Sequence, residues 1–136
     1  MKRILIDINI ILDLLNKRKD HEAAASLFDK CTGSSIKGYL CSHEITTLAY
    51  FMGKYKYSKE QRNFILNKLF NIFNIIPATK EILKDALYSG ISDFEDAVIE
   101  VSAISIKIDF IVSRDLKDFK KSRISTYNAR EALEFL

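Results

Sequence analysis

The chain has 136 residues, enough for one domain, residues 1–136, with a sizeable core. Hydrophobic residues make up 48% and no apolar run reaches the roughly 18 residues a transmembrane helix needs, so no transmembrane helix is indicated. The balance of 21 basic against 18 acidic residues (net +3) does not itself establish a nucleic-acid partner, although acids gathered at one site would leave the remaining surface more basic than the total suggests.

Met1 to Asp7 reaches an acid too early for a secretory leader. Within it Ile4 to Ile6 reads as a short buried strand. Asn9 is expected to cap the next helix, whose stripe is Ile10, Ile11, Leu14 and Leu15. Asp20 caps a second helix with Ala24, Leu27 and Phe28, ending near Gly33. Gly38 to Ser42 is a second strand, and Ser42 caps a helix through Tyr55 carrying Ile45, Leu48, Ala49 and Met52. Ser58 and Gln61 have capping-box spacing and open a helix with Phe64, Ile65, Leu69 and Ile72. Ile75 and Ile76 form a brief strand stopped by Pro77. Thr79 caps a helix to about Tyr88, and Asp93 begins a longer one to about Lys107. Phe110 to Ser113 and Ile124 to Tyr127 are strands, and Asn128 starts the last helix. Strands alternating with helices predict a parallel sheet covered on both faces.

The apolar content of residues 43–55 and 58–73 (Leu48, Tyr50, Phe51, Phe64, Leu66, Phe70, Phe73) exceeds one buried stripe. Two readings follow: a projecting pair of helices used for self-association, or two helices lying in the core. Cys31 and Cys41 lack zinc-finger spacing with His21 and His43 and are expected as free thiols in a reducing cytoplasm.

Four carboxylates sit at the edges of apolar segments: Asp7, Glu44, Asp96 and Asp115. Ligands of parallel α/β sheets bind beyond the carboxyl ends of the strands, and acids delivered there repel one another unless a cation stands between them. Oxygen-only ligands favour a hard ion, Mg²⁺ or Mn²⁺, which points to metal-assisted chemistry on phosphate. The plainer readings stay open. Asp7 also suits a turn, and Glu44, Asp93 and Glu95 also suit helix N-termini through the dipole. Asn9 and Asp13 share a helical face, on which Asp13 reads as a solvated acid. Ser113, two residues before Asp115, places a hydroxyl where it orients that acid, although Ser113 to Phe119 also reads as a polar loop. His43 reads as a surface or capping neighbour. Lys54, Lys56 and Lys59, interleaved with Tyr55 and Tyr57, suit a phosphate backbone, but a solvated connection is the simpler account. No glycine-rich phosphate loop and no nucleophile elbow is present.

Taken in order, Leu5-Ile6-Asp7-Ile8-Asn9, Ser42-His43-Glu44, Asp93-Phe94-Glu95-Asp96-Ala97 and Ile111 to Phe119 resemble the PIN-domain family, within it the short VapC-like toxin ribonucleases. The resemblance spans essentially the whole chain. It implies a Rossmann-like α/β/α sandwich with a parallel sheet of four or five strands. It places the family's first three acids on Asp7, Glu44 and Asp96, and the fourth on Asp115 or Asp118, both present here. Asp7, Asp96 and Asp115 are then metal ligands, with Asn9, Ser113, Asp118 and Asp93 in support. The implied activity is Mg²⁺- or Mn²⁺-dependent hydrolysis of single-stranded RNA, and the implied partners are a small antitoxin and a second copy of the chain. Asp7-Ile8-Asn9 is also similar to the Asp-x-Asp motif of haloacid-dehalogenase-type phosphatases, but with Asn9 where the general acid belongs. A non-catalytic RNA- or protein-binding PIN-like module is the remaining alternative.

Overall fold

In the computed structural model, which describes residues 1–136, Lys2–Ile6 forms the central strand β1. Ile4 and Ile6 pack into one core with Leu40, Phe110 and Val112, whereas Leu5 enters a second with Tyr39, Cys41 and Ile111. A strand buried on both faces needs an unbroken apolar run, and this is why Ile4-Leu5-Ile6 shows no alternation. On one side β1 pairs with β2 (Ile36–Cys41), and β2 with β3 (Asn74–Ile76). On the other side it pairs with β4 (Phe110–Val112), and β4 with β5 (Thr126–Tyr127). All pairings are parallel, in the order β3-β2-β1-β4-β5. The chain winds outward from β1 through β3 and then returns to the opposite side, so the winding reverses between β1 and β4. A crevice opens there at the carboxyl ends.

The first core is covered by α1 (Ile8–Leu15), α2 (His21–Cys31), α3 (Ser42–Lys54) and α4 (Lys59–Ile72), together with the C-terminal helix described below. The second is covered by α5 (Lys80–Ala86) and α6 (Phe94–Ser105). The C-terminal helix α7 (Ala129–Leu133) adds Ala129 and Ala132 to the first core. The architecture is therefore the expected Rossmann-like α/β/α sandwich, with five strands. No helix is long and apolar enough to cross a membrane.

Several helix starts follow their local signals. Ser58 Oγ accepts from the Gln61 N–H at 3.0 Å while Gln61 Oε1 accepts from the Ser58 N–H at 2.8 Å, the reciprocal cap that opens α4. Thr79 and Asn128 cap α5 and α7 through their side chains. Three expected caps are corrected. Asp7, not Asn9, occupies the N-cap position of α1, because the Asn9 amide is committed to side chains across the sheet. Cys41 precedes α3, and Ser42 lies inside it, its Oγ accepting from the Ala78 N–H at 2.9 Å. Asp20 stands before α2 but makes no cap bond, being turned to Arg130 at 2.7 Å. Residues Leu116–Phe119, expected as loop, form a short 3-10 turn anchored by buried Phe119. Both cysteines are free and buried.

Gly38 on β2 illustrates how closely this face is packed. A Cβ there would lie 2.7 Å from Phe73 Cδ1 and 2.9 Å from Cys31 Sγ. Phe73 is itself buried and packs edge-on against Phe28, with ring centroids 5.1 Å apart. Gly38→Ala is expected to lower stability by roughly 1–3 kcal/mol through overpacking. A fall in urea midpoint at constant slope would show it, whereas an unchanged midpoint would mean that Phe73 moves aside freely.

The α3–α4 pair is rooted in the core by Leu48, Met52 and Leu69, yet it leaves Tyr50, Tyr55, Phe64 and Phe70 exposed.

Candidate functional site

The register of the two central strands continues one residue beyond them. The Asp7 N–H donates to the Val112 carbonyl at 2.9 Å, and the Ser113 N–H to that of Tyr127 at 2.9 Å. Asp7 and Ser113 therefore stand side by side at the winding reversal, and Ser113 Oγ donates to Asp7 Oδ2 at 2.8 Å. In the first turn of α1, Asn9 Nδ2 lies 3.1 Å from Asp7 Oδ2, 3.3 Å from Ser113 Oγ and 3.0 Å from Asp115 Oδ2. Its Oδ1 accepts from the Arg114 N–H at 3.1 Å. The Asp115 N–H donates back to Ser113 Oγ at 3.1 Å. This net of short side chains fixes two acids from distant parts of the sequence in one orientation.

The other wall comes from helix N-termini. Glu44, in the first turn of α3, is only 2% exposed. Asp93 Oδ2 caps α6 by accepting from the Asp96 N–H at 3.0 Å, which sets Asp96 in the first turn. The His43 ring, half-buried and not a surface neighbour, lies with Nε2 3.2 Å from the Glu95 carbonyl and ties α3 to α6. Together these residues line an open cleft of about 440 Å³ that holds seven carboxylates (Asp7, Glu44, Asp93, Glu95, Asp96, Asp115 and Asp118) and one cation, Arg114. Every acid singled out in the sequence lines this cleft. Asp115 and Asp118 both reach it. Asp115 is held in the Asn9 net beside Asp7, whereas Asp118 is exposed and bears on Asp96.

Confinement of so many acids shifts their protonation. Burial is the main cause of the raised Asp7 pKa, opposed by hydrogen bonds from Glu44 and Ser113 and reinforced by the charge of Asp115. Glu44 is raised further, by burial and then by its contact with Asp7. Glu44 Oε1 is buried with no hydrogen-bond partner. Burial and the neighbouring charge of Asp7 both favour the neutral form of Glu44. Asp96 is pushed up to about 7, by burial first and then by Asp7, Asp93, Asp118 and Glu95. Glu95 is also raised, by burial and then Asp93, while burial lowers His43.

These observations fit a divalent cation. The donor set is all oxygen, one buried acceptor has no donor, and burial opposes the charge of Asp7, Glu44 and Asp96, a charge that a cation would favour. The acids line the walls without three of them converging at one point, as like charges do.

Several participants were not apparent from sequence. Asp13, expected as a solvated acid, is 4% exposed and pairs with Arg114 Nη1 at 2.6 Å, anchoring the residue that follows Ser113. Its spacing from Asn9 carried the signal, but its partner did not. Thr47 and Phe51 continue the Glu44 face of α3 along the cleft wall, and helical spacing from Glu44 would have found them. Tyr55 and its neighbouring lysines lie away from the cleft, with Tyr55 Oη accepting from Arg18 at 3.2 Å.

Residues 3–117 match the family model of the PIN domain. No curated protein matches the sequence. Among solved structures, the chain is similar to one of FitAB bound to an IR36 DNA fragment, with TM-score 0.71 and 15% identity over 93% of this chain and 94% of that one. It is similar to VapBC2 from Rickettsia felis bound to a DNA fragment from their promoter, with TM-score 0.68 and 20% identity over 93% and 98%. It also resembles FitAcB from Neisseria gonorrhoeae, with TM-score 0.64 and 18% identity over 93% and 98%. At these identities the likeness is one of fold.

Proposed function

This chain belongs to the PIN-domain family, and on that premise we propose that it is a metal-dependent endonuclease of single-stranded RNA, acting as the toxin of a toxin–antitoxin pair. The observation that carries the reading is the cleft itself. Acids from the ends of β1 and β4 and the starts of α3 and α6 meet at the winding reversal, without a second cation beside Arg114. Asp7, Asp96 and Asp115 would hold Mg²⁺ or Mn²⁺, and such an ion supplies Lewis-acid polarisation of phosphate and a more acidic bound water. Asn9 and Ser113 orient Asp7 and Asp115. Asp93 positions Asp96 through its cap. Glu44 is buried beside Asp7, and both burial and that neighbour favour its neutral form. Asp118 is the other candidate for the fourth acid. The phosphatase alternative lacks its general acid, since Asn9 is an amide engaged by Asp7, Ser113 and Asp115.

Two features support the partners. The fold shared with FitAB and VapBC2 chains, with the VapC-like motifs, supports a small antitoxin. The exposed aromatics of α3 and α4 support a homodimer, for which sedimentation should show a concentration-dependent dimer weakened by Phe64→Ser. A monomer at every accessible concentration would remove that assignment.

The central test incubates wild type and Asp96→Asn with a mixed pool of structured and unstructured RNAs, with and without EDTA. Cutting of unstructured RNA by wild type alone, abolished by EDTA and restored by Mn²⁺, is the expected result. Equal cleavage by both proteins would reject the site. Phosphate release from a small phosphomonoester without RNA cleavage would favour the phosphatase, and failure to bind any divalent ion would favour the non-catalytic module.

A further inference from the structure

The acid cleft continues past Asp96 and Asp118. Those two residues and Asp93 also line a second open groove, of about 370 Å³, running between Gly90–Ser92 and Lys117–Lys121. Its cations are Lys117, Lys120 and Lys121, all exposed. None has a carboxylate within ion-pairing distance, although three acids share the groove, because every ion pair in the structure is made by an arginine. Three unpaired ammonium groups beside the most acidic part of the surface are free to take anions from elsewhere.

The groove stands on a fixed base. Glu100, wholly buried in α6, accepts from Ser89 Oγ at 2.7 Å on one side. On the other it accepts from the Arg123 N–H at 2.7 Å and from Arg123 Nη2 at 3.0 Å. Ser89 adjoins one wall and Arg123 follows the other, so one carboxylate pins both. Burial opposes its charge, but these hydrogen bonds prevail and hold Glu100 below its ordinary pKa. Phe119, 4% exposed, anchors the turn that carries the lysines.

We propose that this groove is the track for the phosphate backbone of single-stranded RNA on its way into or out of the acid cleft. The proposal rests on the reading of that cleft as the nuclease site. A polyanion laid along seven carboxylates needs compensating charge close by, and these lysines are unpaired cations in a groove that shares Asp93, Asp96 and Asp118 with the cleft. Lysine suits the role, because its rotating donors meet phosphates without reading bases. The other basic groove, with Lys17, Arg18, Lys19 and Arg130, shares no residue with the cleft, and Arg130 is already paired with Asp20.

The test compares wild type, the triple variant Lys117→Gln/Lys120→Gln/Lys121→Gln and the control Lys30→Gln/Lys37→Gln, two exposed lysines away from the cleft. Anisotropy of labelled oligouridine is titrated over a range of KCl, with EDTA present to prevent cutting, and thermal melts verify the fold of each protein. Single strands give up about 0.7 of salt slope per phosphate contact, so the triple variant should lose about 2 units of slope and bind about tenfold or more weakly near 0.1 M salt. Oligomers of about 12 nucleotides should outbind those of about 4 in wild type and lose that advantage in the triple variant. The control should match wild type. An unchanged slope in the triple variant, an equal loss in the control, or no binding by wild type would overturn the track, and the first would turn the lysines toward an acidic protein surface. If the binding result holds but Asp96→Asn cuts RNA like wild type, the nuclease reading of the cleft falls and the groove remains as an RNA-binding surface alone.

Discussion

Asp7→Asn should reduce RNA cleavage by at least about 100-fold while raising the melting temperature of the metal-free protein. Both effects come from one placement. Asp7 is 5% exposed, its charge is opposed by burial, and Glu44 beside it is also buried. An asparagine there keeps an oxygen to accept from Ser113 and the Asn9 amide, so the net survives. What disappears is a buried charge, whose removal stabilises by roughly 1–3 kcal/mol where neighbours share its sign. The same change removes a metal ligand. A site that stores like charges sacrifices stability for function, and relieving it should show the reverse. Glu44→Gln should also lower cleavage, while Glu22→Gln, outside the cleft, should behave as wild type. Cleavage assays and calorimetry on the same preparations decide the matter. A less stable and fully active Asp7→Asn would show that Asp7 is a structural residue.

The metal-free protein should also lose stability as pH rises from about 5 to about 7.5, and millimolar Mn²⁺ should reverse that loss. Asp96 titrates near 4 in the unfolded chain and at about 7 when folded, because burial and the neighbouring acids oppose its charge. Between those values the folded protein carries more protons than the unfolded one, so raising the pH favours unfolding. Asp7, Glu44 and Glu95 are shifted in the same direction and add to the slope. Asp96 is only half-buried, so solvent screening limits its share. A combined loss near 1 kcal/mol would lower the melting temperature by roughly 3–5 °C. A cation replaces the protons, binds the folded state alone and stabilises it by mass action, more strongly at the higher pH. Melting curves at several pH values, with EDTA or Mn²⁺, test this. A metal-free melting temperature that rises from pH 5 to 7.5 would contradict it.

Much of this arrangement was legible in the residues. Buried strands announce themselves as unbroken apolar runs, and an acid that ends such a run, as Asp7 does, stands at the carboxyl edge of the sheet. Reciprocal caps such as Ser58 with Gln61 are local and need no knowledge of the rest of the fold. Asn9 shows where this reasoning stops. Beside a strand end it has the form of a cap, yet its partners Ser113 and Asp115 lie more than 100 residues away and adjoin it only through the pairing of β1 with β4. Asp13 and Glu100 teach the same lesson. Helical spacing places each on a face, but whether that face meets water or Arg114, or Arg123, depends on packing between distant elements. The lysines at 117, 120 and 121 carry no local signal in the sequence, and only the groove between two loops sets them together.

The partnership of β1 with β4 also orders events in time. Ser113 and Asp7 are 106 positions apart, and β4 and β5 are the last strands to be synthesised. A chain emerging from the ribosome holds Asp7, Glu44 and Asp96 well before it holds Asp115. Until then β1 keeps an open edge, available to any passing strand. A fragment that ends before Phe110 therefore has most of the acids but no cleft to gather them, and its free β1 edge invites aggregation. Completion of the sheet and assembly of its chemistry become one event.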